Sequence, residues 1–365
     1  MSKRAVAALG VALVVGLSEL PAAAACVAAA VKDENPDGGV RTGLTQPAPG
    51  VVWISGTIVD QDSTTRPYVE HFDPITGWAR SVLGLHQSGF NAIAAFPSGQ
   101  AIAVGFEDSG ASALAIMFDG SRWLDMLGSS TEKRYRGSLE RVAVVPGTPA
   151  AYAVLAYGPV NLLHWDGSTW TTVTDALPLG SVLAVGAASA NDVWAVGGRT
   201  DRYGVVHGMA ERFHDGRWTQ LKPPAKLTLL TGVDVRTPNE VWVTGLSQQG
   251  SMFVPFAAHW DGSVWRQLSL PLPNSPSSEL GGLYAQSATN VWISASQWQH
   301  GGSVSALWHW NGNVWHYVTG SNAWTDTPLL AGFPGDVWFA AGQYRRTRFD
   351  GNRWVGTAAC QRPEG

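Results

Sequence analysis

Short apolar stretches separated by glycine, proline, asparagine and aspartate recur from about residue 40 to the end of the chain. This is the patterning of strands joined by turns, not of amphipathic helices. Two anchors alternate along it. The first is a β-branched or small residue, an aromatic or aliphatic residue, two further small or apolar residues and usually glycine. It occurs at Val52-Trp53, Ala101-Ile102, Ala151-Tyr152, Val193-Trp194, Val241-Trp242, Val291-Trp292 and Val337-Trp338. The second is an aromatic, usually followed by Asp-Gly or Asn-Gly, with a tryptophan five residues on. Its pairs are Phe118/Trp123, Trp165/Trp170, Phe213/Trp218, Trp260/Trp265, Trp310/Trp315 and Phe349/Trp354, with Phe72/Trp78 one residue longer.

The anchor aromatics are spaced by 49, 50, 42, 48, 50 and 46 residues, the period of one propeller blade. Each repeat reads as four strands. A short apolar strand, as at 182–187, 229–235 and 280–285, leads through a tight turn into the anchor strand. A variable loop follows, then a third strand ending in the aromatic. The Asp-Gly or Asn-Gly step predicts a two-residue hairpin into the fourth. One such sheet cannot bury both faces, so neighbouring sheets must stack in a ring. The predicted fold is all-β, a seven-bladed propeller of four-stranded antiparallel blades over residues 39–358. A linker at 26–38 precedes it and a tail at 359–365 follows. Fifteen of the 18 tryptophans fall in the anchor slots, which makes them wedge fillers between blades.

Phe72-Asp73-Pro74-Ile75-Thr76-Gly77-Trp78 resembles the kelch ending, and the VWAVGG run at 193–198 resembles the kelch Gly-Gly strand. With Asn191-Asp192-Val193-Trp194 and a later Trp-Asp-Gly-x-x-Trp, the chain is similar to secreted bacterial kelch-like repeats and galactose-oxidase central domains. Other copies lack the Gly-Gly pair. The resemblance implies the fold and leaves function open, since such repeats host many roles.

Composition adds a compartment. Lys3 and Arg4, the apolar run 5–17 and the small residues 22–25 form a secretory leader ending at Ala25, too short to anchor as a membrane span. An extracellular protein is therefore expected, with cell-envelope attachment left open. The two cysteines, Cys26 and Cys360, bracket the mature chain and could form a disulfide; lipidation of Cys26 is the rival reading. A net charge of −4 without a concentrated basic face argues against nucleic acid as a partner. A bacterial, GC-rich source fits the bias of arginine over lysine.

No catalytic constellation stands out. Asp166-Gly167-Ser168-Thr169-Trp170 departs from the sialidase Asp-box, and no Ser-His-Asp set, HExxH, P-loop or GxGxxG is present. His71, His164, His259 and His309 occupy one slot per repeat, too far apart to share a metal, and read as hydrogen-bonding side chains on each sheet. Asp201, Asp234, Glu107 and Asp108 read as isolated rim acids. The chain is thus expected to be a monomeric, non-enzymatic module without a cofactor or catalytic residues, binding a protein or glycan through its variable loops. The alternative is an extracellular hydrolase or lyase with a site in the central funnel. Trp298 and Trp324, outside the repeat slots, are predicted with Gln297, His300 and Asn322 to form an aromatic platform.

Overall fold

The computed structural model describes residues 39–128, 135–156, 161–173, 180–224, 227–249, 252–271, 278–299, 302–319, 329–341, 345–349 and 354–356. These form seven four-stranded sheets, each built from consecutive strands in the order first-second-third-fourth. They are named here blades 1 to 7, spanning 40–82, 89–125, 139–172, 181–221, 227–269, 278–319 and 329–356. All neighbouring strands within a blade run antiparallel, as Val193↔Phe213 and Phe213↔Trp218 show in blade 4. The first strand of every blade packs against the first strand of the next, and that of blade 7 (Leu329–Phe333) against that of blade 1 (Val40–Ala48). The chain is a closed β-propeller with the first strands around its axis.

The indoles hold the wedges. An anchor aromatic points into the next blade and meets its aromatic pair: Trp53 lies 5.4 Å from Phe118 and 6.2 Å from Trp123. Trp194 likewise sits 6.1 Å from Trp260 and 5.9 Å from Trp265, edge-on to the latter. Trp194, Trp242 and Trp338 are 0%, 1% and 2% exposed, so each removes nearly a whole indole from water. Such burial is worth several kcal/mol per ring.

Polar side chains join the inner edges. The Thr57 hydroxyl reaches Phe90 of blade 2, and the Asn161 side-chain amide pairs with both backbone groups of Val182 in blade 4. Closure uses no shared strand. Trp338 of blade 7 contacts Phe72 (5.4 Å) and Trp78 (5.8 Å) of blade 1, and Gln46 donates to Asp336 at 2.7 Å.

Two local expectations are corrected. Among the described hairpins only blade 4 has the two-residue turn, Asp215-Gly216, with His214 paired to Arg217 and both turn residues at positive φ (51° and 73°). In blades 2, 3, 5 and 6 the closing pairs leave four residues between them, as in Trp165↔Trp170. There the first loop residue accepts backbone N–H groups two and three positions on, Asp166 from Ser168 (2.7 Å) and Thr169 (2.8 Å). This Asx turn spares the aspartate the left-handed conformation that a two-residue turn would demand. The histidine slot differs in part: His309 Nε2 lies at hydrogen-bond distance, 2.9 Å, from Asn290 Oδ1, but stacking is what the four rings share. His71, His164, His259 and His309 lie against the anchor aromatic of their own sheet, with ring centroids 4.0 to 4.7 Å apart. Burial pushes all four imidazoles below the usual histidine range. Arg212 fills the same slot in blade 4, its guanidinium 5.6 Å from the Trp194 ring.

Candidate functional site

Antiparallel order places the second-to-third loops and the fourth-to-first connections on one face, and the short turns and Asx hairpins on the other. The first face is variable in length and chemistry. Its best-defined projections come from blades 1 and 4.

In blade 4 the hairpin between Asp192–Thr200 and Val206–His214 is closed by Asp201. The Asp201 backbone N–H donates to the Val205 carbonyl, and its carboxylate accepts from the backbone N–H of Tyr203 (2.8 Å) and Val205 (3.0 Å). The same carboxylate lies 2.9 Å from His207 Nε2, and these bonds hold it below the ordinary aspartate range. Asp201 is therefore a brace, not an isolated acid. The tip it braces carries Tyr203, 75% exposed, with the Arg202 guanidinium 4.7 Å over its ring and Val205 and Val206 beside it.

Blade 1 repeats the frame. Asp60 N–H donates to Thr64 O, and the Asp60 carboxylate is gripped by Arg66 at 2.6 and 2.7 Å. Here the tip is Gln61-Asp62-Ser63, and Asp62 accepts from the Thr64 backbone (3.0 Å) and hydroxyl (2.6 Å). Asp60, Gln61, Asp62, Thr64 and Arg66, with His86 from the connection to blade 2, line an open cleft of about 490 Å³.

A second polar group lies at the axis toward the short-turn face. Asp234 in the first strand of blade 5, Leu227–Thr237, accepts from the Ala285 N–H of blade 6 at 2.7 Å. Arg236 Nη1 donates to the Ala285 carbonyl at 3.0 Å, so both backbone groups of one residue are held, while Arg236 Nε stands 3.4 Å from Glu240. Burial pushes the Asp234 carboxyl up to about 6, against the pull of that hydrogen bond and of Arg236. Tyr284 lies alongside; burial, then the Asp234 charge, raises its phenol, whose oxygen finds no hydrogen-bond partner. Glu211, 2% exposed between blades 3 and 4, is also raised by burial, with one oxygen unpartnered. Its counterpart in blade 1, Glu70, is paired with Arg41 at 3.0 Å, whereas the Arg41 position of blade 4 is Val182.

The sequence-predicted platform meets the structure only in part. Gln297 and Trp298 lie in the strand Asn290–Gln299, opposite Val304 and Ser303. Their side chains, and His300, Asn322 and Trp324, lie outside the described residues, as do Cys26 and Cys360. Trp308 is a core residue, fully buried, its indole donating to Pro271 O at 3.0 Å. Sequence reasoning missed two exposed aromatics, Tyr203 in the blade 4 loop (75%) and Phe253 in the strand Met252–Trp260 of blade 5 (53%). The signal was the lack of a repeat slot for Tyr203, passed over in favour of tryptophan. Among the described residues no group of three His, Cys, Asp or Glu could hold a metal ion, and no helix is long and apolar enough to cross a membrane.

No protein-family model matches the chain, and no curated relative matches it in sequence. Solved structures do match in fold. Virginiamycin B lyase from Staphylococcus aureus aligns over 87% of this chain and 96% of its own, with TM-score 0.59 and 12% identity. An ulvan lyase bound to -[GlcA(1-4)Rha3S]- aligns over 89% and 96%, with TM-score 0.50 and 12% identity. Saccharomyces cerevisiae Sqt1 aligns over 89% and 86%, with TM-score 0.54 and 9% identity. At these identities the likeness defines a class, the β-propellers, and nothing narrower. It also corrects the expectation of a non-enzymatic chain: lyases share this architecture nearly end to end, so the uniform tryptophan repeat gives no ground for excluding catalysis.

Proposed function

We propose that this chain is an extracellular recognition and scaffold propeller that engages a protein or glycan through its variable face. Within this reading its ring is seven-bladed and kelch-like, residues 1–25 are a leader that exports it, and Cys26 and Cys360 mark the ends of the mature chain. The observation that carries the proposal is the braced tip of blade 4, which spends three hydrogen bonds on holding an exposed Tyr203 beside Arg202. Tyrosine and arginine on a preorganised loop are the residue types that dominate binding energy at interfaces. The test is a comparison of wild type with a Tyr203→Ala, Phe253→Ala double variant on glycan arrays and in pull-downs from the producing culture. Recognition by this face predicts loss of the ligands that wild type retains. Unchanged retention sinks it.

A second reading is favoured by one observation, the axial carboxyl of Asp234, raised to about 6 beside Arg236 and Tyr284. A carboxyl of that acidity can exchange protons near neutral pH, which a lyase or hydrolase requires. Its site would open toward the short-turn face rather than the variable one. Incubation with uronate-containing polysaccharides, read by absorbance of unsaturated products, tests it; product from wild type and none from Asp234→Asn supports it, and none from either rejects it for that substrate class.

A further inference from the structure

The hairpins of blades 1 and 4 are built on one frame and carry opposite tips. Asp60 and Asp201 close them through the carbonyl four residues on, and each carboxylate is paired with a side-chain nitrogen six residues on, of Arg66 or His207. At the positions between, blade 1 presents Gln61, Asp62 and Ser63, whereas blade 4 presents Arg202, Tyr203 and Gly204. The blade 4 tip is convex, apolar and basic: Tyr203, Val205 and Val206 are 75%, 46% and 39% exposed, and Arg202 makes no ion pair within its own loop beyond stacking on Tyr203. Blade 1 frames a cleft of about 490 Å³. The two-pronged bond to Arg66 neutralises Asp60 there, and Asp62, exposed and held ionised by its bonds to Thr64, supplies one negative charge in excess.

We propose that the variable face pairs with that of a second copy of this chain, the Arg202–Tyr203 tip of each copy entering the blade 1 cleft of the other. This deepens, and rests on, the recognition reading above, with the partner now specified. Tip and cleft lie on the same face, so a two-fold axis running between two apposed faces brings blade 4 of each copy over blade 1 of its partner. The contact is thereby made twice and the assembly is closed, an isologous dimer and not a filament. Charge sets the register, Arg202 against Asp62. The tyrosine ring and the two valines supply the apolar contact, since an exposed ion pair alone contributes little. Both loops are already braced in the single chain, so little ordering is lost on pairing.

The experiment is sedimentation equilibrium of the purified mature chain from about 1 µM to about 500 µM, a range that brackets micromolar self-association. Wild type is expected to dimerise reversibly. Arg202→Asp and Asp62→Lys, at exposed positions and checked for unchanged circular dichroism, should each weaken the dimer at least about tenfold, because each reverses a charge at both contacts. Mixing the two variants should restore it: in the mixed pair Asp at 202 meets Lys at 62 at one contact, and the native pair meets at the other. A wild type that stays monomeric overturns the proposal, as does a dimer indifferent to both substitutions, or one that mixing fails to restore. A monomer that still captures glycans or proteins, and loses them on Tyr203→Ala, would reject self-pairing while leaving recognition by this face intact.

Discussion

Replacing Trp338 with alanine probes the seam that makes the chain a ring. Trp338 is 2% exposed and is shared between blades 7 and 1, with Phe72 at 5.4 Å and Trp78 at 5.8 Å, in a cluster with Val52, Ile54 and Ala340. A buried indole hides about 200 Å² of largely apolar surface, which at about 25 cal/mol per Å² is about 5 kcal/mol. Partial collapse of the cavity brings the expected loss to about 3–5 kcal/mol. Because no strand crosses this seam, the loss should also be local. Hydrogen exchange of the first strand of blade 1 and of blade 7 should accelerate well beyond that of blades 3 to 5. Trp194→Ala, which empties a wedge of the same kind between blades 4 and 5, is the control, and should cost a similar amount in urea unfolding without exposing the ends of the ring. A Trp338→Ala variant less than about 1 kcal/mol weaker, or one with exchange raised evenly around the ring, would refute closure by side-chain packing.

Two further outcomes are expected. Asp234→Asn keeps an acceptor for the Ala285 N–H but removes a carboxyl raised from 3.8 to about 6; wild type, whose folded state binds that proton more tightly than the unfolded chain, should lose about 2 kcal/mol as pH rises from about 4 to 6, and the variant should not. The difference between the two melting curves over that interval isolates Asp234 from the four stacked histidines, whose lowered values act oppositely by withdrawing stability as pH falls below 6.5; equal slopes for both proteins would count against a raised carboxyl. Gly332→Ala drives a methyl group into the Tyr284 ring and should cost about 1–3 kcal/mol, relieved by adding Tyr284→Ala; no recovery in the double variant would show that the ring is not the obstacle.

The strand order and the wedge packing were legible because both follow from a periodic arrangement of large side chains. The short apolar runs at 182–187 and 229–235 pair with the anchor strand that follows them, as Val185↔Ala195 and Val233↔Val243 show. The Asp-Gly turns misled because dipeptide preference is silent about the side chain's own hydrogen bonds: Asp166 satisfies two backbone donors only by lengthening the loop. The candidate site was far less legible. Asp234 sits between two valines in sequence, and its raised carboxyl reflects burial in the fold beside a hydrogen-bond partner, Ala285, 51 residues away. Tyr203 was hidden differently, in a loop whose rigidity depends on one aspartate accepting from residues two and four positions on.

Each blade is a contiguous run beginning with its inner strand and ending with its outer one, so the first and last strands of the propeller end on the same side as the fourth-to-first connections. The chain entering at Val40 and the chain leaving after Gly356 therefore both emerge from the variable face. A tether at either terminus, whether a lipid or a neighbouring domain, would turn that face toward whatever holds it and leave the uniform hairpin side looking outward. Orientation at a surface is thus set by where the chain starts and stops, independently of what any loop recognises.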